Sequence, residues 1–158
     1  MTSEEVTLEE VPLSGGTLDN SELAYTHYLN RGLPPHVAAG IVGNLIQESN
    51  LNPHVKGDEG KATGIAQWHP DRFNTLRKWA ASQGRNPYDL RTQLDFVIEE
   101  PGEGERALKK LFETTNPQQA AVVFSNTYER PNKKYAANNK RAAYAQSLMS
   151  RYGNNNQR

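Results

Sequence analysis

The feature that most constrains the fold is the apolar run between Pro35 and Ser49. Two stripes repeat there at intervals of four residues: Val37, Ile41 and Leu45, and beside them Ala38, Val42 and Ile46. Two adjacent stripes predict an α-helix that is buried over most of its surface. Gly40 and Gly43 lower the helix propensity of this run, so packing against a close neighbour must compensate.

Glu48 lies at the C-terminal end of that predicted helix. The partial negative charge at this end disfavours a carboxylate, and burial beside Leu45 and Ile46 acts in the same direction. Both effects favour a protonated Glu48, which is the state a general acid needs to protonate a glycosidic oxygen. Taken alone, a glutamate at a helix end is more often solvated or bound to N–H groups.

Composition narrows the classes of function. The 158 residues fit one domain, and 35% hydrophobic residues suffice for a packed core. Because 18 Lys and Arg balance 18 Asp and Glu, no net field favours nucleic acid as a partner. The chain has no cysteine, which excludes thiol nucleophiles and zinc–thiolate sites.

Helical signals recur along the chain, whereas the period-2 alternation of strands does not. Prolines and glycines divide these signals into seven expected helices, which predict an all-α domain of helices packed on helices. They are expected at about 18–31, from 35 to about 49, at 70–84, 86–100, 103–113 and 116–130, and at about 133–152. We expect residues 1–16 to be a flexible arm or linker, 17–152 to form the domain, and 153–158 to be a polar tail.

The segment 51–68 has residues that suit a saccharide cleft. Gln67 offers an amide donor and acceptor, and Trp68 offers a ring on which a pyranose can stack. Asp58, or Glu59 beside it, is a candidate for the second carboxylate of a glycoside-cleaving site. The simpler alternatives are that Trp68 belongs to the core and that Asp58 and Glu59 form a turn between Gly57 and Gly60.

Two motifs carry a resemblance to a known family. QESNLNP followed by GIAQW is similar to the Glu-Ser and Gly-Leu-Met-Gln-type motifs of the lysozyme-like superfamily, which includes lytic transglycosylases and goose-type lysozymes. More closely, AAGIVGNLIQESNLNP with TGIAQWHPDRFNTLRKWA resembles the phage tail lysozyme family of virion-associated peptidoglycan hydrolases. The resemblance covers about residues 25–81, is looser from residue 90 onward, and implies a lysozyme-like fold with its cleft beside the loop 51–68.

The resemblance also implies roles for single residues. Glu48 becomes the catalytic acid, Ser49 supports the site, and Gln67 contacts substrate. NTYERP suggests the family's later motif with an aromatic side chain at the cleft, so Tyr128 holds the sugar or orients Glu48. Its alternative is a core position, in register with Ala120 and Phe124. Glu129 is a lesser candidate for the second carboxylate.

The function expected from this resemblance is cleavage of the β-1,4 bond between N-acetylmuramic acid and N-acetylglucosamine in bacterial peptidoglycan. Either water attacks, as in a lysozyme, or the muramic C6 hydroxyl attacks, as in a lytic transglycosylase. The rival interpretation is a non-catalytic wall-binding or tail structural module.

The expected partners are peptidoglycan and other virion or tail proteins, and neither nucleic acid nor an inserted membrane is expected. The four histidines lack HExxH spacing, so no metal or cofactor is expected. The acidic start MTSEEVTLEEV does not resemble a signal peptide, which suits delivery by a phage particle to the wall.

Overall fold

The computed structural model describes residues 15–132 and 136–153. Helices dominate them, as the all-α prediction required. The helices are α1 (Gly15–Asn30), α2 (Pro35–Ser49), α3 (Pro70–Ser82), α4 (Leu90–Glu99), α5 (Glu103–Leu111), α6 (Pro117–Phe124) and α7 (Asn138–Leu148). Two π-helical segments, Ser125–Glu129 and Met149–Gly153, continue α6 and α7. In the part of the chain that the structure describes, no helix combines the length and apolarity needed to cross a membrane.

Helix α2 lies at the centre of the fold and packs against α1, α6 and α7. All six residues of its two predicted stripes are buried. Gly40 and Gly43 explain how its neighbours approach so closely. A Cβ on Gly40 would lie 2.5 Å from the Cβ of Ala120 in α6, and one on Gly43 would lie 2.8 Å from the carbonyl oxygen of Arg141 in α7. Close packing therefore accompanies the weak helix propensity, as expected.

The structure corrects several predicted boundaries. Helix α1 begins at Gly15, inside the predicted arm, while residues 1–14 lie outside the described part, as do 154–158 of the predicted tail. Helix α7 begins only at Asn138, after Ala137 in a left-handed conformation, rather than near Lys133. A two-stranded hairpin was not predicted: β1 (Lys56–Gly57) pairs antiparallel with β2 (Ala62–Thr63). Strands of two residues are too short to show a period.

Asp95 in α4 joins three separate parts of the fold through ion pairs. One oxygen of its carboxylate accepts hydrogen bonds from His27 of α1 and from Arg31 just after α1, and the other oxygen lies 2.9 Å from Arg85 Nη2. Burial alone would raise the pKa of Asp95, but His27, Arg85 and Arg31 outweigh that effect and lower the pKa to about 2. The cluster therefore stabilises the fold while Asp95 is ionised.

We predict that Gly40→Ala destabilises the protein by about 1–3 kcal/mol, because the added methyl group would overlap α6 and force its backbone away. The intrinsic gain from alanine in a helix is only about 1 kcal/mol and is smaller than that strain. Urea unfolding measures the difference. Gly153→Ala is the matched control, since its Cβ would meet nothing nearer than Met149 Cε at 3.7 Å. Equal stability of the two variants would contradict the prediction.

A second prediction concerns acid. Because the folded pKa of Asp95 lies below its usual 3.8, its stabilising effect is complete above about pH 4 and is lost as pH falls toward 2. Asp95→Asn should lower the free energy of unfolding at pH 7 by about 1–2 kcal/mol, allowing for screening of the partly exposed Arg31, and the difference should shrink by pH 3. Urea unfolding across this range tests it, with exposed Glu105→Gln as control. A difference that does not change with pH would contradict it.

Candidate active site

Glu48 occupies the last turn of α2, where the helix leaves the core. Its side chain is 17% exposed, so the carboxyl group is largely enclosed yet still reaches solvent. Asn50 ends the helix in a left-handed conformation and donates its N–H to the carbonyl of Ile46. This αL cap turns the chain sharply into the loop 51–68.

Arg141 of α7 forms an ion pair with Glu48. Its Nη2 lies 2.7 Å from Glu48 Oε2, and its side chain is only 2% exposed. The other donors are also engaged, because Nε donates to the carbonyl of Ala136 and Nη1 donates to Asn44 Oδ1 at 2.9 Å. The guanidinium group is therefore held at three points, and it fixes one oxygen of Glu48.

Asn44 completes this buried polar network. Its amide Nδ2 donates to the carbonyls of Gly40 in α2 and Ala121 in α6, at 2.9 and 2.8 Å. Sequence reasoning missed both Asn44 and Arg141. The available signal was a polar residue in the apolar run one turn before Glu48. The ion pair with Arg141 places a positive charge beside Glu48 that the sequence analysis did not anticipate.

Glu129 ends the first π-helical segment. Its Oε2 is buried and has no hydrogen-bond partner among residues 15–132 and 136–153. Burial raises the pKa of Glu129 well above its usual range, and the charge of Glu48 raises it further, while Arg141 and Arg72 act in the opposite direction. The structure thus brings Glu129 into the electrostatic environment of Glu48.

Asp58 and Glu59 lie at the tip of the β1–β2 hairpin. Both have left-handed backbones, with φ of 50° and 57°, and they form the turn that was the simpler alternative. Asp58 is 56% exposed and pairs with His69 at 3.3 Å. Asp58 is therefore an exposed turn residue, in contrast to the largely enclosed Glu48.

Trp68 and Tyr128 form a buried pair below the loop. The indole N–H of Trp68 donates to the Tyr128 hydroxyl at 2.8 Å. Trp68 is 1% exposed and packs edge-on against Phe96, while Tyr128 is fully buried and stacks on Phe124. The rings are covered by protein, so a sugar finds no open face to stack on. Both rings therefore lie in the core, which was the alternative stated for each residue from the sequence. They pack below the loop and support it.

Ser49 and Gln93 tie the loop to the helices. Ser49 Oγ lies 2.7 Å from the carbonyl oxygen of Ile65 and accepts from the N–H of Leu51. Gln93 of α4 is fully buried, and it accepts from the N–H of Ile65 and donates to the carbonyl of Pro53. Ser49 therefore links the end of α2 to the backbone of the loop, and Gln93 makes a second such link that sequence reasoning missed.

Gln67 lies on the loop with a left-handed backbone, at φ 54°. Its amide Nε2 donates to the carbonyls of Gly64 and Val55, which fixes the orientation of the side chain. Gly57 makes room for it, because a Cβ at that position would lie 2.3 Å from Gln67 Oε1. A non-glycine residue held at positive φ is strained, and such strain is typical of functional positions.

Arg72 of α3 contacts both the ring and the carbonyl of Tyr128. It forms a bidentate ion pair with the buried Glu100, donates to the Tyr128 carbonyl at 3.3 Å, and lies 4.6 Å from the centre of the Tyr128 ring. Within residues 15–132 and 136–153, no group of three or more acidic or histidine side chains is arranged to hold a metal ion. The chemistry available at this site is that of carboxyl groups, an amide and a buried cation.

Comparison with known proteins places the sequence in a family. The sequence model of the phage tail lysozyme family matches residues 19–152. Morphogenesis protein 1 of Bacillus phage B103 is 26% identical over 125 residues, an alignment that covers 71% of this chain and 34% of the relative. The chain thus spans about a third of the length of that curated relative.

The Trp68–Tyr128 pair yields a prediction on stability. Tyr128→Phe removes the acceptor of a buried indole N–H, so we expect a loss of about 1–3 kcal/mol in the free energy of unfolding. Tyr25→Phe is the matched control, because the Tyr25 hydroxyl donates only to the weak acceptor Met149 Sδ at 3.7 Å. Urea unfolding of both variants tests the prediction, and a Tyr128→Phe protein as stable as the control would contradict it.

Proposed function

The chain belongs to the phage tail lysozyme family, and from that premise we propose that it cleaves peptidoglycan glycan strands with Glu48 as the general acid. Peptidoglycan hydrolysis is the activity that the family suggests. The proposed target is the β-1,4 bond between N-acetylmuramic acid and N-acetylglucosamine. The observation that carries the proposal is the environment of Glu48. Its carboxyl group is largely enclosed, one oxygen is fixed by Arg141, and the residue lies in the last turn of α2 before the loop 51–68.

In the proposed reaction, the Glu48 carboxyl group donates its proton to the glycosidic oxygen as the bond from the sugar C1 to that oxygen breaks. The bonding electron pair remains on the leaving oxygen, and positive charge develops at C1. Either water or the C6 hydroxyl of the muramic residue attacks C1, and the proton it loses returns to the Glu48 carboxylate. One group thereby serves first as acid and then as base.

The remaining residues act by placement. Gln67 is proposed to contact the sugar through its amide, whose orientation is fixed by Val55 and Gly64. Ser49, Trp68 and Tyr128 hold the loop in register with the end of α2. These supports limit the movement of Gln67 relative to Glu48, which an acid catalyst needs because its proton must reach the leaving oxygen.

We also propose that the protein acts as part of a phage particle. The family is that of phage tail lysozymes, and the relative from phage B103 is named for morphogenesis. Its partners would then be the bacterial wall and other virion or tail proteins. The same printed name supports one alternative, a tail structural or wall-binding module that does not cleave.

The prediction that tests the function is the loss of activity in Glu48→Gln. The amide keeps an oxygen for Arg141 but cannot donate a proton as an acid, so we expect a fall in wall lysis of roughly 10²–10⁴-fold. Turbidity of purified peptidoglycan measures lysis, and exposed Glu105→Gln is the matched control. The melting temperature should stay within a few degrees, since the hydrogen bond to Arg141 can persist.

Mass spectrometry of the released fragments separates the outcomes. New reducing ends mean hydrolysis, and 1,6-anhydro ends mean attack by the muramic C6 hydroxyl. A Glu48→Gln protein as active as wild type would overturn the assignment of Glu48. Wall that is bound but not fragmented by the wild-type protein would overturn the enzyme proposal in favour of the binding module.

A further inference from the structure

A groove of about 440 Å³ lies between the β1–β2 hairpin and α3, and the proposed reaction gives it no role. We call it the hairpin groove. The hairpin forms one wall and the first half of α3 forms the other. The lining residues that bear on its chemistry are Lys56, Lys61 and Thr63 of the hairpin and Asp71, Phe73 and Arg77 of α3.

The hairpin connects this groove with the residue proposed to bind the sugar. Lys56 of β1 lines the groove, whereas a Cβ on the next residue, Gly57, would overlap the amide oxygen of Gln67. Successive residues of a strand direct their side chains to opposite faces. One face of the hairpin therefore contacts Gln67, and the other face forms a wall of the groove.

Positive charge prevails in the hairpin groove. Lys56, Lys61 and Arg77 all line it, and among residues 15–132 and 136–153 none of the three forms an ion pair. Asp71 also lines it, but this residue lies in the first turn of α3, where an acid stabilises the helix. The groove is therefore suited to an anionic ligand.

Arg77 is held in a fixed orientation although it is exposed. Its Nη2 donates to the Tyr88 hydroxyl at 3.0 Å, and its guanidinium group lies 5.3 Å from the centre of the Phe73 ring. Tyr88 in turn stacks on His54, with ring centres 5.5 Å apart. A guanidinium group presents N–H donors in a planar fork that matches a carboxylate. Arg77 is thus an oriented cation that suits a carboxylate ligand.

The proposed substrate has an anionic part that matches these cations. In peptidoglycan the glycan strand is uncharged, whereas the peptide stem on the lactyl group of each N-acetylmuramic acid carries free carboxylates. A stem of four residues spans up to about 13 Å when extended. The strands of the hairpin have two residues each and are only about 7 Å long. A stem attached to a sugar at Gln67 is therefore long enough to pass around the hairpin into the groove.

We propose that the hairpin groove binds the carboxylates of the peptide stem, with Arg77 as the main contact and Lys56 and Lys61 as additional cations. The proposal rests on the proposed function and deepens it, because it names the part of the substrate that is bound beyond the glycan. The groove lies on the face of the hairpin away from Gln67, so the contact is the same before and during bond cleavage. Such uniform binding lowers KM and leaves kcat unchanged.

The test compares two forms of soluble, uncrosslinked peptidoglycan strands that keep their stems. One form has free stem carboxylates, and in the other carbodiimide and ammonium have converted them to primary amides. For the wild-type protein, amidation should raise KM about three- to tenfold and leave kcat nearly unchanged, since contacts between exposed charges are modest in strength. Amidation leaves phosphodiesters of other wall polymers intact, so a groove that binds phosphate would not respond.

Arg77→Gln should raise KM on the strands with free carboxylates by a similar factor, and amidation should then have less than half of its wild-type effect. Lys78→Gln is the matched control, because it removes the same charge from the next residue of α3, which is exposed and lies outside the groove lining. The control should keep the full response to amidation. A wild-type protein that does not respond to amidation overturns the proposal, and so does an Arg77→Gln variant with the full wild-type response.

A binding measurement separates this proposal from the proposed function, because it requires no cleavage. Backbone amide NMR follows Lys61 and Arg77 during titration with a synthetic stem tetrapeptide and with its fully amidated form. The free acid should shift both signals at lower concentration than the amide does, and added salt should weaken the effect.

Equal shifts with the two peptides overturn the proposal, and the proposed function still stands if the wild-type protein cleaves the strands. Selective shifts without cleavage of any strand have the opposite meaning. They support the groove as a stem-binding site and overturn the proposed catalytic function.

Discussion

The close packing of α6 and α7 on α2 depends on the absence of a Cβ at Gly40 and Gly43. Methyl groups there would overlap Ala120 of α6 and the backbone of α7 at Arg141 and Ala145. Without them, both helices lie directly against α2. The close packing of α7 on α2 therefore also fixes the position of α7 along the axis of α2. In that position the guanidinium group of Arg141 forms an ion pair with Glu48.

The buried cation Arg141 needs hydrogen-bond and ion-pair partners, and these partners hold the residues around Glu48 in place. Leaving a charge such as Arg141 unpaired in the interior is strongly destabilising. Its three hydrogen-bonding nitrogens reach Glu48, Asn44 and Ala136, and Asn44 in turn binds carbonyls of α2 and α6. The backbone carbonyls of α2 and α6 fix Asn44, Asn44 fixes Arg141, and Arg141 fixes Glu48. Positional precision of this kind is what acid catalysis requires.

The two carboxyl groups differ because their surroundings differ. Glu48 has a cation 2.7 Å away, and Glu129 has a buried oxygen for which the described residues supply no hydrogen bond. Burial raises the pKa of Glu129 well above its usual range. The hairpin carboxylate Asp58, which sequence proximity favoured, lies instead in an exposed pair with His69.

The sequence by itself determined the helical class, the buried central helix and the place of Glu48 at its end. These features follow from spacing within one segment, and a local period is readable without the rest of the chain. Only the tertiary structure decided that Arg141 binds Glu48, that Trp68 and Tyr128 are covered, and that Asp58 lies in an exposed turn paired with His69. Glu48 and Arg141 are 93 residues apart in sequence. Contacts across such distances depend on how closely two helices pack, which no local pattern encodes.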